Sequence, residues 1–271
     1  LNAYGMNNYS IPIIGTMEDI GSISKSDLQN WYKTYYQPNN AIVIIAGNFD
    51  KIEVKKYIDK YYGVIKTEKQ KVTTKDYISF ETSNYFEVYE KVARPIFFIG
   101  FKKPEFDKEK SRQLYALDLF LEIMDGGYSS RLTQHLVNDK KIALDTFISN
   151  DTFNKYSNLI IIGGTPRGNI TNTEFKESIL KEFSKENIET ITLHELNSAK
   201  ARIKANNIYK FDSVINQVMQ VGMLETKDIS WQELDRYSNI IESITIEEIK
   251  KSREIYFSNK NNLITILMPN I

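Results

Sequence analysis

Few side chains in this chain could do metal or nucleophilic chemistry. It has 271 residues, two histidines (His135 and His194) and no cysteine. The missing cysteine rules out disulfides, thiolate zinc sites and cysteine nucleophiles. Two isolated histidines cannot build a histidine-rich metal centre. His194-Glu195 suggests a zinc motif, but the fourth residue after His194 is Ser198, so His-Glu-x-x-His is absent. The inverted form, His-x-x-Glu-His, is absent too. Glu195 stands three residues after Thr192, as in a capping box, so His194 reads as a first-turn helix residue. His135 reads as a surface or packing residue. Gly126-Gly127-Tyr128-Ser129-Ser130-Arg131 is glycine-rich and precedes a helix, but it follows a helix rather than a strand and lacks the spacing of a phosphate-cradling loop. It reads as a helix–turn–helix junction with Ser129 or Ser130 as N-cap. Gly163 to Gly168 reads as a turn after a strand. The residues alone show no catalytic serine–histidine–acid set and no distinctive carboxylate pair.

Bulk properties exclude further classes. Lysine plus arginine and aspartate plus glutamate both number 35, so the formal net charge is zero. A chain that neutralised phosphates would carry a basic excess, which argues against nucleic acid as partner. No apolar run approaches the roughly 20 residues of a membrane-spanning helix. Hydrophobic residues make up 41% of the chain, enough for packed cores.

The organising unit is Ser22 to Gly47. Ser24 and Asp27 form a capping-box pattern, and Leu28, Trp31, Tyr32 and Tyr35 recur at helical spacing. Pro38 breaks the helix. Ala41 to Ala46 is a continuous apolar run, predicted to be a strand covered on both faces. The pattern returns without a gap at Ser243 to Leu267, at an offset of 243 − 22 = 221. Ser24 then falls on Thr245, Asp27 on Glu248, Tyr36 on Phe257, Asn40 on Asn261 and Ile42-Val43 on Leu263-Ile264. An offset this long is a domain duplication rather than a short repeat.

Elsewhere the pattern predicts an irregular Leu1 to Ile20 and a helix from Ile52 to Tyr62 capped by Asp50, its lysines forming a solvated face. Residues 67–84 are polar and predicted to be a linker. Strands are expected at Phe86–Tyr89, Pro95–Phe101, Ala143–Ser149 and Asn158–Gly163. Helices are expected over Lys108–Met124 and Ser129–Asn138, after a cap at Thr173, from Thr192 to Leu224, and near Trp231. The result is an α+β fold of duplicated α/β sandwich domains, with helices on a mixed or antiparallel sheet. Residues 1–66 are the end of a first domain and 85–271 a second. With the second copy starting near Tyr85, the offset puts the start of the first about 136 residues before Leu1 (85 − 221 = −136).

Three stretches carry a resemblance. They are Ile13-Ile14-Gly15 through Ile20, Tyr35-Tyr36-Gln37-Pro38-Asn39-Asn40-Ala41 running into Val43 to Asp50, and Gly126-Gly127-Tyr128-Ser129-Ser130-Arg131-Leu132. In this order they resemble passages of the pitrilysin-type zinc metallopeptidases, the inverzincin family that includes insulin-degrading enzyme and the mitochondrial processing peptidase. The likeness is nearest to bacterial members with two domains per chain. The resemblance implies a metalloendopeptidase that hydrolyses peptides or unfolded polypeptide between two like domains. It implies zinc held in the first domain by His-x-x-Glu-His and a later Glu, all before the passage matching Leu1 to Ile20. This chain is then a non-catalytic, metal-free part of the parent, with no catalytic or metal residue of its own. An Arg and a Tyr that many relatives place after the Ser-Ser-Arg-Leu passage fall here on Val137 and Leu144. The resemblance therefore implies a homo- or heterodimer in which a like-folded subunit supplies the pair. The alternative it leaves is a non-catalytic structural or binding subunit. Bacterial periplasm and cytoplasm fit it equally.

Overall fold

A computed structural model describes residues 2–5, 8–66, 84–257 and 262–270. The expected linker lies outside them except for Asn84, which opens the first strand. Asn261 of the second unit lies outside them as well.

The second half of the chain builds one five-stranded mixed sheet. Its strands are β1 (Asn84–Glu90), β2 (Ile96–Lys103), β3 (Ala143–Ser149), β4 (Asn158–Pro166) and β5 (Asn262–Pro269), in the order β1-β5-β2-β4-β3. The final strand β5 enters the middle of the sheet. It pairs parallel with β1 and antiparallel with β2, so that Ile264 lies opposite Tyr85 on one side and Ile99 on the other. Side chains alternate between faces along each strand. Phe97, Ile99, Ile160, Ile162, Ile264 and Ile266 point into the main core beneath the helices. Leu159 and Leu263 point to the other face, where Ala3, Tyr4, Phe86 and Ile161 pack against them.

The helix α4 (Ser111–Asp125) is the centre of the helical layer. A single apolar stripe at Leu114, Leu117, Leu121 and Met124 is the sequence expectation. In fact Tyr115, Ala116, Leu119, Phe120 and Ile123 are buried as well, so this helix is covered nearly all round. On the sheet's flank it is joined by α10 (Ile246–Phe257), where Phe257 meets Phe101 and Phe120 edge-on with ring centroids 4.8 and 5.4 Å apart. The remaining helices are α5 (Asn172–Glu182), α6 (Lys185–Glu189), α7 (Leu193–Asp212), α8 (Val214–Glu225) and α9 (Glu233–Ser243).

Several expectations need correction. Thr171, not Thr173, caps α5, its hydroxyl accepting from the Glu174 N–H at 3.2 Å. The expected helix from Thr192 to Leu224 is two helices. Ser213 has extended backbone (φ −96°, ψ 127°) and is both the end of α7 and the N-cap of α8, a role suited to a short hydroxyl residue. The Trp231 helix begins after that residue, at Glu233. The helix after the glycine turn is mostly a π-helix, Thr133–Asp139. Residues 1–20 are not wholly irregular, because α1 (Met17–Ser22) is opened by a capping box of Thr16 and Asp19.

The first unit forms its helix but not its strand. In α2 (Lys25–Tyr35) the Ser24–Asp27 capping box is present, and Asp50 caps α3 (Lys51–Tyr61) through the Ile52 and Glu53 N–H groups. Ala41 to Ala46, however, makes no strand pairing among the described residues. A strand needs a neighbour for its N–H and C=O groups, and among the described residues none lies beside this run.

The sheet also fixes where side chains can be added. At Gly164 in β4, a Cβ would lie 2.5 Å from the Asp145 carbonyl oxygen of β3. Backbone cannot yield there as a flexible side chain could, so Gly164→Ala is expected to destabilise the domain by about 1–3 kcal/mol. Urea unfolding followed by circular dichroism checks this.

Candidate functional site

The glycine turn shapes the end of α4. Gly127 has φ +120°, a conformation that favours glycine, and the Gly127 carbonyl accepts from the Ser130 N–H at 2.9 Å. The turn delivers Arg131 into the interior, where it is 7% exposed. Its guanidinium grips Glu195 through Nε–Oε1 at 2.5 Å and Nη2–Oε2 at 3.0 Å, a two-pronged pairing. Nη1 donates to the Asn187 carbonyl at 2.8 Å and to Thr190 Oγ1 at 3.0 Å. Glu195 in turn accepts from the Thr192 N–H at 2.8 Å, the expected capping box of α7. Burial alone would raise the Glu195 pKa, but the Arg131 and Thr192 hydrogen bonds outweigh it and hold the carboxyl at about 2. The turn is thus a clamp that ties the glycine loop to α6 and α7.

The two histidines are not brought together for chemistry. His135 Nδ1 lies 2.7 Å from Oε2 of Glu182. That carboxylate, buried at the end of α5, also accepts from Lys140 Nζ at 2.9 Å and Asn187 Nδ2 at 2.8 Å. Burial pushes the Glu182 pKa up, but His135 and Lys140 prevail and hold it below its ordinary value. His194 is exposed in the first turn of α7. Val137 packs half-buried against the main core, and Leu144 stands outward on β3. Neither side chain can donate a hydrogen bond. Among the described residues, no group of three or more His, Cys, Asp or Glu side chains could hold a metal ion. The donor sets around both histidines therefore do not fit zinc.

A polar cleft that sequence reasoning missed lies between α4, α7, α9 and the end of β3. Its volume is about 310 Å³, and its walls include Asp118, Glu122, Asp125, Asn150, Asn207 and Tyr237. The three carboxylates follow one stripe of α4 at spacings of four and three. That spacing was visible in the sequence, but only the fold shows that the stripe faces polar partners. Asp118 accepts from Asn150 Nδ2 at 2.7 Å and from the Thr152 hydroxyl, and burial raises its pKa. Glu122 accepts from Arg202 Nε at 2.7 Å. Asp125 accepts from the Ile148 N–H at 2.8 Å, yet burial still pushes its carboxyl up to about 6. Beneath the cleft, Lys103 is buried, donates to the Asp151 carbonyl oxygen and is pushed down to about 8 by that burial. Each carboxylate is thus hydrogen-bonded to a neighbouring helix, loop or strand.

This geometry can be set beside known proteins. The family model described as the peptidase M16 inactive domain matches residues 22–203. The chain belongs to the peptidase M16 family. Zinc protease PqqE of Helicobacter pylori is 26% identical over 273 residues, covering 98% of this chain and 60% of the relative. YmxG of Bacillus subtilis, described as an uncharacterized zinc protease, is 24% identical over 246 residues, covering 91% of this chain and 58% of the relative. Among solved structures, a protease from H. pylori superposes with a TM-score of 0.82 at 22% identity, over 94% of this chain and 62% of that one, which shows the M16 fold. This M16 chain thus spans about 60% of the length of the curated relatives it matches.

Two outcomes follow for the polar groups. Arg131→Met removes the clamp, leaves Glu195 partly buried without its cation, and is expected to cost about 2–3 kcal/mol. Because Glu195 titrates below its ordinary 4.5 in the folded chain, its contribution is present above that pH and fades as pH falls towards 2. The Arg131→Met deficit in urea unfolding should therefore shrink on acidification. Asp125 has the opposite sign. Its folded pKa of about 6 exceeds the ordinary 3.8, so its carboxylate costs stability as pH rises from about 4 through about 6. Asp125→Asn keeps an acceptor for Ile148 and should gain stability over the wild type at pH 7.5 relative to pH 4.5.

Proposed function

We propose that this chain is the non-catalytic part of a zinc metalloendopeptidase that hydrolyses peptides or unfolded polypeptide between two like domains. In this reading residues 1–66 close a first, metal-bearing domain, 67–84 link, and 85–271 form the second. The match to the M16 inactive domain carries the reading, and the similarity to relatives described as zinc proteases supports the activity. In this reading zinc belongs to the parent's first domain, in keeping with the relatives' description as zinc proteases.

The duplication supports the domain scheme independently. Ile42, Val43 and Ile45 are 50%, 54% and 45% exposed. Their counterparts Leu263, Ile264 and Ile266 are all buried. Likewise Leu28 and Tyr36 are bare, whereas Ile249 and Phe257 of α10 are core residues. Faces built to the same pattern require the same cover, and in the parent that cover is a set of elements equivalent to β1, β2 and α4.

Val137 and Leu144 favour a two-subunit enzyme in which a like-folded partner contributes the polar pair that contacts substrate. The second reading is a non-catalytic structural or binding subunit of the same fold, which the match to the M16 inactive domain equally allows.

The test is hydrolysis of a quenched-fluorescent peptide library by residues 1–271 and by the full gene product, each with and without a chelator. The expected result is no turnover by residues 1–271 and chelator-sensitive, zinc-restored turnover by the full product with its partner. Chelator-sensitive turnover by residues 1–271 alone would overturn the assignment. A full product without His-x-x-Glu-His would leave the scaffold reading in its place.

A further inference from the structure

A second cavity, about 620 Å³ in volume against about 310 Å³ for the polar cleft, opens where three loops meet. They are the segment 104–110 after β2, the 151–157 loop between β3 and β4, and the 226–232 loop between α8 and α9. Contacts between the loops fix the walls. The Phe106 N–H donates to the Asn154 carbonyl at 2.9 Å. Lys155 pairs with Asp228, and Lys227 with Asp151 at 2.8 Å. Phe106, Tyr156 and Ile229 supply the apolar part of the lining. Apolar walls with a few placed polar groups are the usual make-up of a ligand pocket.

The placed polar group is Glu233, the first residue of α9, which lines the cavity and is only 3% exposed. A buried carboxylate needs cations and hydrogen bonds in good geometry. Its Oε2 has such a bond, from the Tyr115 hydroxyl at 3.0 Å. Its Oε1 does not. Arg236 Nη1 stands 3.4 Å away and Lys108 Nζ 3.9 Å away. Both are long against the roughly 2.8 Å of a good cation–carboxylate hydrogen bond. Lys108 is 65% exposed on its side chain, so little holds it in that place.

The other charges decide the sign of a ligand. Lys155 and Asp228 neutralise each other, and Lys227 is spent on Asp151. Arg236 reaches Glu233 from within α9 and does not line the cavity. Among the described residues, that leaves Lys108 as the one lining cation for two carboxylates, Glu105 and Glu233. The shortage is of positive charge. A guanidinium fork would need both oxygens of a carboxylate, and Tyr115 already holds Oε2. An ammonium needs only one.

From this arrangement we infer that the cavity is a binding site for a primary alkylammonium group, its stem on Phe106, Tyr156 and Ile229 and its nitrogen at Glu233 Oε1. Lys108 is the internal occupant that such a ligand displaces. An ammonium on an apolar stem suits a lining that is apolar at the wall and anionic at one point. A free alkylamine and the lysine side chain of a polypeptide share this chemistry. The inference rests on the cavity alone and is independent of zinc and of peptide hydrolysis.

The test is calorimetric titration of residues 1–271 with Nα-acetyl-lysine methylamide, with its uncharged analogue Nα-acetyl-norleucine methylamide, and with n-butylammonium chloride. Saturable binding of the lysine compound and none of the norleucine compound is the expected result. Lys108→Ala removes the competing ammonium and should tighten binding about threefold. Glu233→Gln keeps an acceptor for Tyr115 and should weaken binding about tenfold. Because Lys108 is exposed, its variant reads the site even where the Glu233 variant fails to fold. Equal binding of the norleucine compound would overturn the inference. So would an affinity that Lys108→Ala leaves unchanged or lowers, or no binding to that variant at all. Butylammonium binding as tightly as the lysine compound upholds the site and assigns it to free amines; tighter binding of the lysine compound upholds it and assigns it to a polypeptide. Each result leaves the peptidase assay and its outcome untouched.

Discussion

The fold depends on one constraint: the strand of the helix–turn–strand unit must be paired along both edges. In the sheet of residues 84–270 this is met when β5, the last strand, enters between β1 and β2. The register of that insertion sends Ile264 and Ile266 under the helices and Leu263 to the opposite face. The domain is therefore completed by its final strand, which joins the first strand to the antiparallel ribbon of β2, β4 and β3. The first unit has the same sequence pattern and no such neighbours among the described residues. Its helix forms because capping and periodicity are local, but its strand does not, because strand pairing is not local.

The polar side chains around this sheet serve the same end. Arg131, the one charged residue of the glycine turn, closes on Glu195 and thereby joins the turn to the cap of α7. Asp118, Glu122 and Asp125 spend their oxygens on Asn150, Arg202 and the β3 backbone. His135 is bound to Glu182. These polar residues brace one element against another.

How much was legible in the sequence varied with the range of the interactions. Capping boxes at Ser24–Asp27 and Thr192–Glu195 were readable because every partner lies within three residues. The β3 boundaries and the burial of α4's apolar stripe followed from periodicity and turn residues. The break at Ser213 was hidden because apolar spacing continues on both sides of it, although Asp212-Ser213 carries cap-forming residues. The run Ala41–Ala46 is the opposite case: its composition is that of a strand, but among the described residues no pairing partner lies beside it. The cleft carboxylates were overlooked because a charged stripe on a helix ordinarily faces water, and only tertiary packing turned this one inward. Val137 and Leu144 were placed by resemblance, and their chemistry alone shows that neither can hold a charge.

The central claim is that residues 22–47 and 243–267 are one structural unit met twice, complete in one copy and uncovered in the other. Amide hydrogen exchange at Ile42 to Ile45, compared between residues 1–271 and the full gene product, addresses it most directly. The account predicts rapid exchange in residues 1–271 and, in the full product, protection matching that of Leu263 to Ile266. Rapid exchange at Ile42 to Ile45 in both proteins would contradict it.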